Sequence, residues 1–396
     1  MRSRLTLALM RIGILTGGGD APGLNAAIRA VVLRATALGH ETFGIGDGWA
    51  GLLGEAAPRV LVARDVAAIL GEGGTILGTS RTDPRKDDAS RRAVLDGIRR
   101  FRLDALVAVG GNDTLGVAQW LHEQGVAVVG VPKTVDNDLA ETDFCIGFDT
   151  AVTVVADALD RLRTTASAHH RVVVVEAMGR DTGWVAAFGG LAGGADLVLV
   201  PEIRVTSDDV TRTVKRRRSL GDLDILVVVS EAAEIDGLEA QTAVDRDAFG
   251  HVRLDQRAIG AVLARHIEQR TGIEARQVVL GHLQRGGSPT AVDRLRATRF
   301  GNAAADLAIA GRSGVLPVQR GGRIEVATLA DALHGPRALS DDIIELVRAP
   351  TRLSGPSQIA VMPMMASNVK TYRATTSAPG AILTRIAGGT TRTPKK

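Results

Sequence analysis

Short aliphatic runs recur along this chain, and each of them ends in a glycine-rich or charged turn. The runs cover residues 12–16, 105–109, 126–131, 172–175, 225–229 and 277–280. Stretches with helical periodicity lie between them, at residues 24–37, 89–100, 150–164 and 254–270. Strands that alternate with helices predict βαβ units and parallel sheets. Since ligands bind beyond the carboxyl ends of parallel strands, the polar turns mark the predicted binding site.

The composition agrees with buried parallel strands. Hydrophobic residues make up 45% of the 396 residues but aromatic residues only 3%, so the core has to be built from aliphatic side chains. A chain of this length suits two domains. We predict one α/β domain over residues 11–149, completed by residues 284–335, and a second over residues 150–283. Residues 1–10 are predicted to be a dispensable N-terminal extension.

Basic residues are concentrated at the C-terminal end of the chain. There are 48 basic and 44 acidic residues in all, and residues 351–396 contain seven of the basic ones but none of the acidic ones. This segment lacks periodicity, which predicts a disordered basic tail rather than a binding arm. No basic stripe interleaved with aromatic residues occurs elsewhere, so we expect no nucleic-acid partner.

The cysteine content and the hydropathy pattern predict a cytoplasmic protein. Cys145 is the only cysteine, which excludes an intrachain disulfide and fits a reducing compartment. No apolar run reaches the roughly 18 residues that are needed to span a bilayer. The N-terminal segment lacks the small-residue cleavage pattern of a signal peptide. We therefore expect no membrane partner.

Two glycine-rich turns are candidate phosphate sites. The first, GGGDAPG at residues 17–23, follows a predicted strand and precedes a predicted helix, an arrangement in which backbone amides bind phosphate. It matches neither the Rossmann nor the Walker A pattern, and a tight strand-to-helix turn explains it equally well. The second turn, GGNDT at residues 110–114, has the same setting. Its polar side chains are suited to hold a metal or to orient a phosphoryl donor.

A third turn, PKTVDND at residues 132–138, combines two carboxylates, an amide and a lysine at the end of a strand. Phosphoryl transfer needs a base for the hydroxyl proton and cations to offset phosphate charge. Asp136 suits the first task and Lys133 the second. The alternative is a solvated turn, since Asp and Asn favour turns.

Arginine and histidine residues recur near these turns and strand ends. Arginine binds phosphate through two parallel hydrogen bonds, so a group of such residues beside glycine loops indicates phosphate binding. The candidates are Arg81, Arg171, Arg180, Arg276, Arg285 and His282.

Five motifs in this order resemble the bacterial phosphofructokinase family. The resemblance runs from about Met10 to about Asp293, with weaker cover to about Arg348. NAD kinases and lipid kinases share a glycine–aspartate loop of the first type but not the other four motifs. The motifs are GGDAPG at 18–23, GGTILGTSR at 73–81, PKTVDND at 132–138, EAMGR at 176–180 and GHLQRGGSP at 281–289.

The resemblance implies a fold and a set of site residues. The fold is two Rossmann-like three-layer α/β domains with parallel-rich sheets and the active site in the cleft between them. Asp136 is then the general base that takes the proton from the 1-hydroxyl of fructose 6-phosphate. The donor is bound by Gly18, Gly19, Arg81, Asp113, Thr114 and Lys133. The sugar phosphate is bound by Thr134, Val135, Asp136, Arg171, Met178, Gly179, Arg180, Glu231, Arg276, His282, Leu283, Gln284 and Arg285.

The resemblance also implies a homo-oligomer and a metal. Arg171 and Arg276 reach the 6-phosphate in a neighbouring subunit's site, so the chain is expected to form a homodimer or a homotetramer. The expected cofactor is Mg²⁺. Asn112 stands where the family usually has the Asp or Glu that binds this ion. A neutral amide oxygen is a weaker partner for a hard cation than a carboxylate.

Two further positions concern the phosphoryl donor. Family members that use ATP have glycine at the positions of Asp113 and Lys133, whereas members that use pyrophosphate have Asp and Lys there. We therefore predict a pyrophosphate-dependent enzyme that forms fructose 1,6-bisphosphate reversibly. An ATP-dependent phosphofructokinase and a weakly active sugar-phosphate-binding paralogue are the alternatives. The sequence does not distinguish fructose 6-phosphate from sedoheptulose 7-phosphate as the acceptor.

Overall fold

The computed structural model describes residues 9–238 and 257–349. The predicted tail at residues 351–396 and most of the predicted extension at residues 1–10 lie outside the described residues. The strands are β1 (Arg11–Thr16), β2 (Glu41–Gly44), β3 (Arg59–Leu61), β4 (Ala105–Gly110), β5 (Val128–Pro132), β6 (Val172–Ala177), β7 (Leu197–Leu199), β8 (Val205–Thr206), β9 (Ile225–Ser230), β10 (Ile235–Asp236), β11 (Ala275–Val279), β12 (Val315–Arg320) and β13 (Arg323–Thr328).

Helices connect most of these strands. They are α1 (Leu24–Ala37), α2 (Ala50–Leu53), α3 (Asp88–Arg100), α4 (Asn112–Glu123), α5 (Phe148–His169), α6 (Trp184–Ala192), α7 (Ser207–Ser219), α8 (Ile259–Thr271), α9 (Ala291–Ile309), α10 (Leu329–Ala332) and α11 (Asp341–Arg348). No helix in the described part of the chain combines the length and apolarity needed to cross a membrane.

Two parallel-rich sheets form from the described strands. The larger has the order β13-β12-β5-β4-β1-β2-β3, in which only the edge strands β13 and β3 run antiparallel to their neighbours. The smaller has the order β11-β6-β9-β7 and is entirely parallel. A short parallel pair, β8 and β10, lies apart from both.

Helices cover both faces of each sheet. Helices α1 and α9 pack on one face of the larger sheet, and α3 and α4 pack on the other. Helices α5 and α6 cover one face of the smaller sheet, and α7 and α8 cover the other. The prediction of two three-layer α/β arrangements with parallel-rich sheets is confirmed. Both sheets belong to one compact unit, so the proposed domain boundaries stay a prediction.

The element boundaries differ from the sequence prediction in two informative places. Strand β5 begins at Val128, because the amide of Val126 donates to the carbonyl of Leu121 (3.0 Å) and so closes the end of α4. Strand β11 begins at Ala275, earlier than the apolar run that predicted it. It is an edge strand, and an exposed edge tolerates polar residues such as Arg276.

A buried carboxylate connects a helix of each sheet. Asp293, in the first turn of α9, accepts hydrogen bonds from the amides of Gly147 (3.1 Å) and Thr150 (2.8 Å), and from the Thr150 hydroxyl (2.7 Å). Arg296 also donates to it (2.8 Å). The start of α5 is thereby fixed against α9, which places the carboxyl ends of the two sheets beside one another.

Candidate active site

The three polar turns predicted from the sequence meet in one cleft. Strands β1, β4 and β5 are adjacent and parallel, so the turns that follow them lie at one edge of the larger sheet. The cleft encloses about 590 Å³, part of it open to solvent. It is lined by Gly18, Gly19, Arg81, Gly111, Asn112, Asp113, Thr114, Lys133, Thr134, Asp136, Asp138, Arg180, Asp181 and Arg285.

The first glycine loop packs closely against the second. A Cβ atom added to Gly17 would lie 2.6 Å from the hydroxyl oxygen of Thr114, so a side chain is excluded there. The amides of Gly17 and Gly18 donate to the carbonyls of Val109 (3.0 Å) and Ser80 (3.1 Å). Two of the loop's amides are therefore used within the protein. The glycines are needed for close packing as well as for access of a phosphate.

Lys133 connects the third turn to the first glycine loop. Its side chain is buried, and Nζ donates to the carbonyls of Gly17 (3.0 Å) and Gly19 (2.5 Å). An ammonium group has three N–H donors, so one remains for a ligand. Burial, together with the nearby Arg285, lowers the pKa of Lys133 to about 7. The adjacent carboxylate of Asp136 opposes this shift and favours the charged form.

A hydrogen bond between Asn112 and Asp138 connects the second glycine turn to the third turn. Nδ2 of Asn112 donates to Oδ2 of Asp138 (2.8 Å). Burial, together with the charges of Asp136 and Asp181, raises the pKa of Asp138 to about 7. The other oxygen, Oδ1, is buried without a hydrogen-bond partner among the described residues, and the same holds for Oδ1 of Asp136.

This oxygen set fits a hard divalent cation. No group of three or more His, Cys, Asp or Glu side chains in the described ranges is arranged to hold a metal ion. Magnesium, however, keeps several waters and is commonly bound through one or two carboxylates together with substrate phosphates. The unpartnered oxygen of Asp138 and the side-chain oxygen of Asn112 suit that mode of binding.

A half-buried carboxyl group, that of Glu231, follows strand β9 of the smaller sheet. Oε1 of Glu231 accepts a hydrogen bond from the amide of Gly179 (3.2 Å). Burial of the carboxyl group, together with the charge of Asp136, raises the pKa of Glu231 to about 7. Gln284 is fully buried and accepts a weak hydrogen bond from the amide of Met178 (3.4 Å). These contacts fix the loop that carries Arg180.

Two arginines extend across the cleft. Nη1 of Arg180 lies 3.9 Å from Oδ2 of Asp113, which belongs to the second glycine turn. Nη1 of Arg285 donates to the carbonyl of Asp20 (3.0 Å) in the first glycine loop. Positive charge from the smaller sheet thus reaches both glycine turns of the larger sheet, where a transferring phosphoryl group would need it.

Comparison with known proteins agrees with this arrangement. The sequence profile of the Phosphofructokinase family matches residues 11–308. The chain belongs to the phosphofructokinase family. A pyrophosphate--fructose 6-phosphate 1-phosphotransferase of Amycolatopsis methanolica is 50% identical over 325 residues, which cover 82% of this chain and 94% of that protein. An ATP-dependent 6-phosphofructokinase of Chloroflexus aggregans is 47% identical over 330 residues, covering 81% and 90%.

A solved structure shows the same fold. The pyrophosphate-dependent phosphofructokinase from Marinobacter aquaeolei aligns with a TM-score of 0.71 at 22% identity, over 90% of this chain and 95% of that chain. Relatives named for either donor are similarly close in sequence. Overall identity therefore does not decide the donor, and individual residues of the cleft have to.

Most residues predicted for the phosphofructokinase site are brought together. The six predicted donor residues all line the cleft, as do Thr134, Asp136, Arg180 and Arg285. His282 and Leu283 are exposed in the 3-10 turn before Arg285. Val135 and Gln284 are fully buried, so neither is exposed to a ligand in this structure.

Arg171 and Arg276 do not line this cleft. They lie at the amino-terminal ends of β6 and β11, whereas the loop at residues 178–183, which carries the predicted sugar-site residues 178–180, follows the carboxyl end of β6. Both guanidinium groups pair with Glu274, at 3.6 Å and 2.8 Å. Their role in another subunit's site stays a prediction.

Sequence reasoning gave no role to Asp138 and Asp181, which both line the cleft. Asp138 belongs to a motif that was identified, and its position at the end of a buried strand was the available signal. Asp181 follows Arg180 directly, but nothing in the local sequence indicates that it faces the third turn.

Proposed function

We propose that this chain transfers a phosphoryl group from pyrophosphate to the 1-hydroxyl of fructose 6-phosphate, giving fructose 1,6-bisphosphate and phosphate. The proposal rests on two side chains at the end of the cleft that is predicted to bind the donor. They are the buried ammonium of Lys133 and the carboxylate of Asp113. The Amycolatopsis methanolica relative, whose name states this reaction, supports it.

The residues of the cleft can be assigned to the steps of this reaction. The carboxylate of Asp136 takes the proton as the sugar oxygen attacks the terminal phosphorus of the donor. Arg180 offsets charge on the transferring group, and Lys133 offsets charge on the phosphate that leaves. Mg²⁺, when bound, would neutralise donor phosphate charge, and Asn112 and Asp138 would hold it.

A donor assay tests the proposal. Purified protein is incubated with fructose 6-phosphate and Mg²⁺, and with either pyrophosphate or ATP. We expect efficient turnover with pyrophosphate and poor turnover with ATP. Equal or faster turnover with ATP would support the ATP-dependent alternative, which the Chloroflexus aggregans relative represents. Sugar-phosphate binding without turnover would indicate a binding paralogue.

The lone cysteine supports a cytoplasmic location for the reaction.

The Asn112–Asp138 pair leads to a prediction about metal affinity. In Asn112→Asp, the donated hydrogen bond of 2.8 Å is replaced by two neighbouring carboxyl groups, whose negative charge would favour binding of a divalent cation. We expect a lower Mg²⁺ concentration for half-maximal activity with either donor. We also expect a larger rise of the melting temperature on addition of Mg²⁺ than in the wild type. An unchanged Mg²⁺ requirement and an unchanged thermal shift would remove Asn112 from the proposed metal site.

We further propose that the active unit is a homodimer or homotetramer in which Arg171 and Arg276 complete a neighbour's sugar-phosphate site. Arg171→Ala mixed with Asp136→Asn should regain activity, because a hybrid contains one site with both Asp136 and Arg171. The matched control is a mixture of Arg171→Ala with Arg276→Ala, which offers no site with both arginines. A fully active monomer in sedimentation experiments would contradict the proposal.

A further inference from the structure

The segment between α10 and α11 contacts the turn that carries the catalytic carboxylate. The backbone amide of Arg337 donates to the carbonyl of Asp138 (2.8 Å). Nη2 of the same residue donates to the carbonyl of Asp143 (2.7 Å), which also accepts from the side chain of Asn137 (3.1 Å). Arg337 therefore holds both ends of the stretch 138–143, which begins two residues after Asp136.

The same residue contacts the element that follows the sugar-site loop. Nε1 of Trp184 donates to the carbonyl of Arg337 (2.7 Å), and the guanidinium carbon lies 4.0 Å from the centre of the indole ring. Trp184 is the first residue of α6, directly after the loop at residues 178–183. Leu339, two residues after Arg337, makes a related contact. Its amide donates to Glu202 (3.3 Å), which also accepts from the amide of Gly183 (3.0 Å).

The guanidinium group is held in a partly buried setting that lysine could not reproduce. Its Nε is buried and has no hydrogen-bond partner within the described part of the chain, which costs free energy. A planar guanidinium can stack on an indole ring and at the same time donate in its own plane. A lysine ammonium can keep the charge but cannot make both contacts with this geometry.

We propose that Arg337 is a positioning residue, which sets the turn carrying Asp136 and Asp138 at a fixed distance from the sugar-site loop at residues 178–183. It does not line the cleft; its backbone amide holds Asp138, and its side chain holds Asp143 and stacks on Trp184. The inference rests on the proposed function, because it assumes that the turn and the loop bind the two reacting groups.

A loss of this contact should affect the chemical step more than sugar binding. Arg285, which is proposed to bind the 6-phosphate of the sugar, is held by the carbonyl of Asp20 (3.0 Å) and does not depend on Arg337. The alignment of the base with the sugar hydroxyl does depend on it. A displacement of about 1 Å can cost on the order of 10²-fold in rate.

The test compares Arg337→Lys, Trp184→Phe and the double variant. We expect Arg337→Lys to lower kcat at least ~10-fold while KM for fructose 6-phosphate changes less than ~3-fold. Trp184→Phe keeps an aromatic ring but loses the Nε1 hydrogen bond, so a smaller fall in kcat is expected. The double variant should be little worse than Arg337→Lys alone, since both changes weaken the contact between residues 184 and 337. The matched control is Arg299→Lys, because Arg299 donates to the Gly322 carbonyl (2.9 Å) at the surface.

Amide hydrogen exchange supplies a readout that does not need turnover. Arg337→Lys should exchange faster than the wild type at residues 136–143 and at 178–183, and Arg299→Lys should not. Unchanged exchange in both segments overturns the inference, and so does a wild-type kcat in Arg337→Lys, whatever its melting temperature. A wild-type protein that turns over neither donor would contradict the proposed function alone, since the exchange comparison would still decide the role of Arg337.

Discussion

Replacement of Asp136 by asparagine should lower turnover at least ~10²-fold while fructose 6-phosphate still binds with nearly wild-type affinity. Asparagine preserves the size of the side chain and the amide contact of residue 136 with the Thr134 hydroxyl (3.1 Å). It cannot accept the hydroxyl proton. Turnover is measured by the release of fructose 1,6-bisphosphate, and sugar binding by calorimetry. A variant with near-normal turnover would refute Asp136 as the general base.

The same substitution should stabilise the protein at alkaline pH. Burial, together with the charge of Asp136, raises the pKa of both Asp138 and Glu231 to about 7. A carboxyl group with a raised folded-state pKa destabilises the fold as the pH rises through that value, because its charged form is disfavoured in the folded state. Asp136→Asn removes part of this repulsion. Its melting temperature should exceed that of the wild type more at pH 8 than at pH 6. Asp306→Asn, which alters an ion pair with Arg34 on the surface, serves as the control.

Replacement of both Asp113 and Lys133 by glycine should raise the ratio of ATP to pyrophosphate use, in kcat/KM, by on the order of 10², about 2.7 kcal/mol of differential binding. Asp113 places negative charge beside the donor position, 3.9 Å from Arg180, where it repels the additional phosphate of ATP. The side chain of Lys133 fills the space beside the first glycine loop, at residues 17–23. Its removal makes room for a nucleotide and also takes a cation from pyrophosphate.

The two changes should be coupled, because both side chains line the same end of the cleft. The double variant is expected to gain more in ATP use than the two single variants together. Lys133→Met is the matched control, since it removes the charge and keeps most of the bulk. It should lose pyrophosphate use without gaining ATP use. If the wild type already uses ATP at least as well as pyrophosphate at saturating Mg²⁺, the assignment of these residues to donor choice is wrong.

The central strands could be predicted from the sequence because they are buried on both faces. Strands β1, β4, β6 and β9 read as continuous aliphatic runs and were located within one or two residues at each end. Strands β2, β3 and β13, which lie at or next to an edge of the larger sheet, were not predicted. They owe their form to pairing with a neighbour, and their own residues carry only a weak pattern.

The candidate site divides in the same way. The residues that follow buried strands, such as Asp113, Lys133 and Asp136, were found because topology and family motif agree on them. Arg337 and Asp181 matter through contacts with distant parts of the chain. Arg337 lies about 200 residues from Asp138 in sequence, and its own surroundings contain no motif. Such positions become visible only when the packing of the chain is known.

The buried ammonium of Lys133 links donor binding to protons in solution. With a pKa of about 7, this group is only partly protonated at the start of binding in a neutral buffer. An arriving anion favours the charged form, so the complex takes up a fraction of a proton that the free protein lacks. By thermodynamic linkage, the apparent affinity for an anionic donor falls as the pH rises above 7. The heat of binding then includes the ionisation heat of the buffer that supplies the proton.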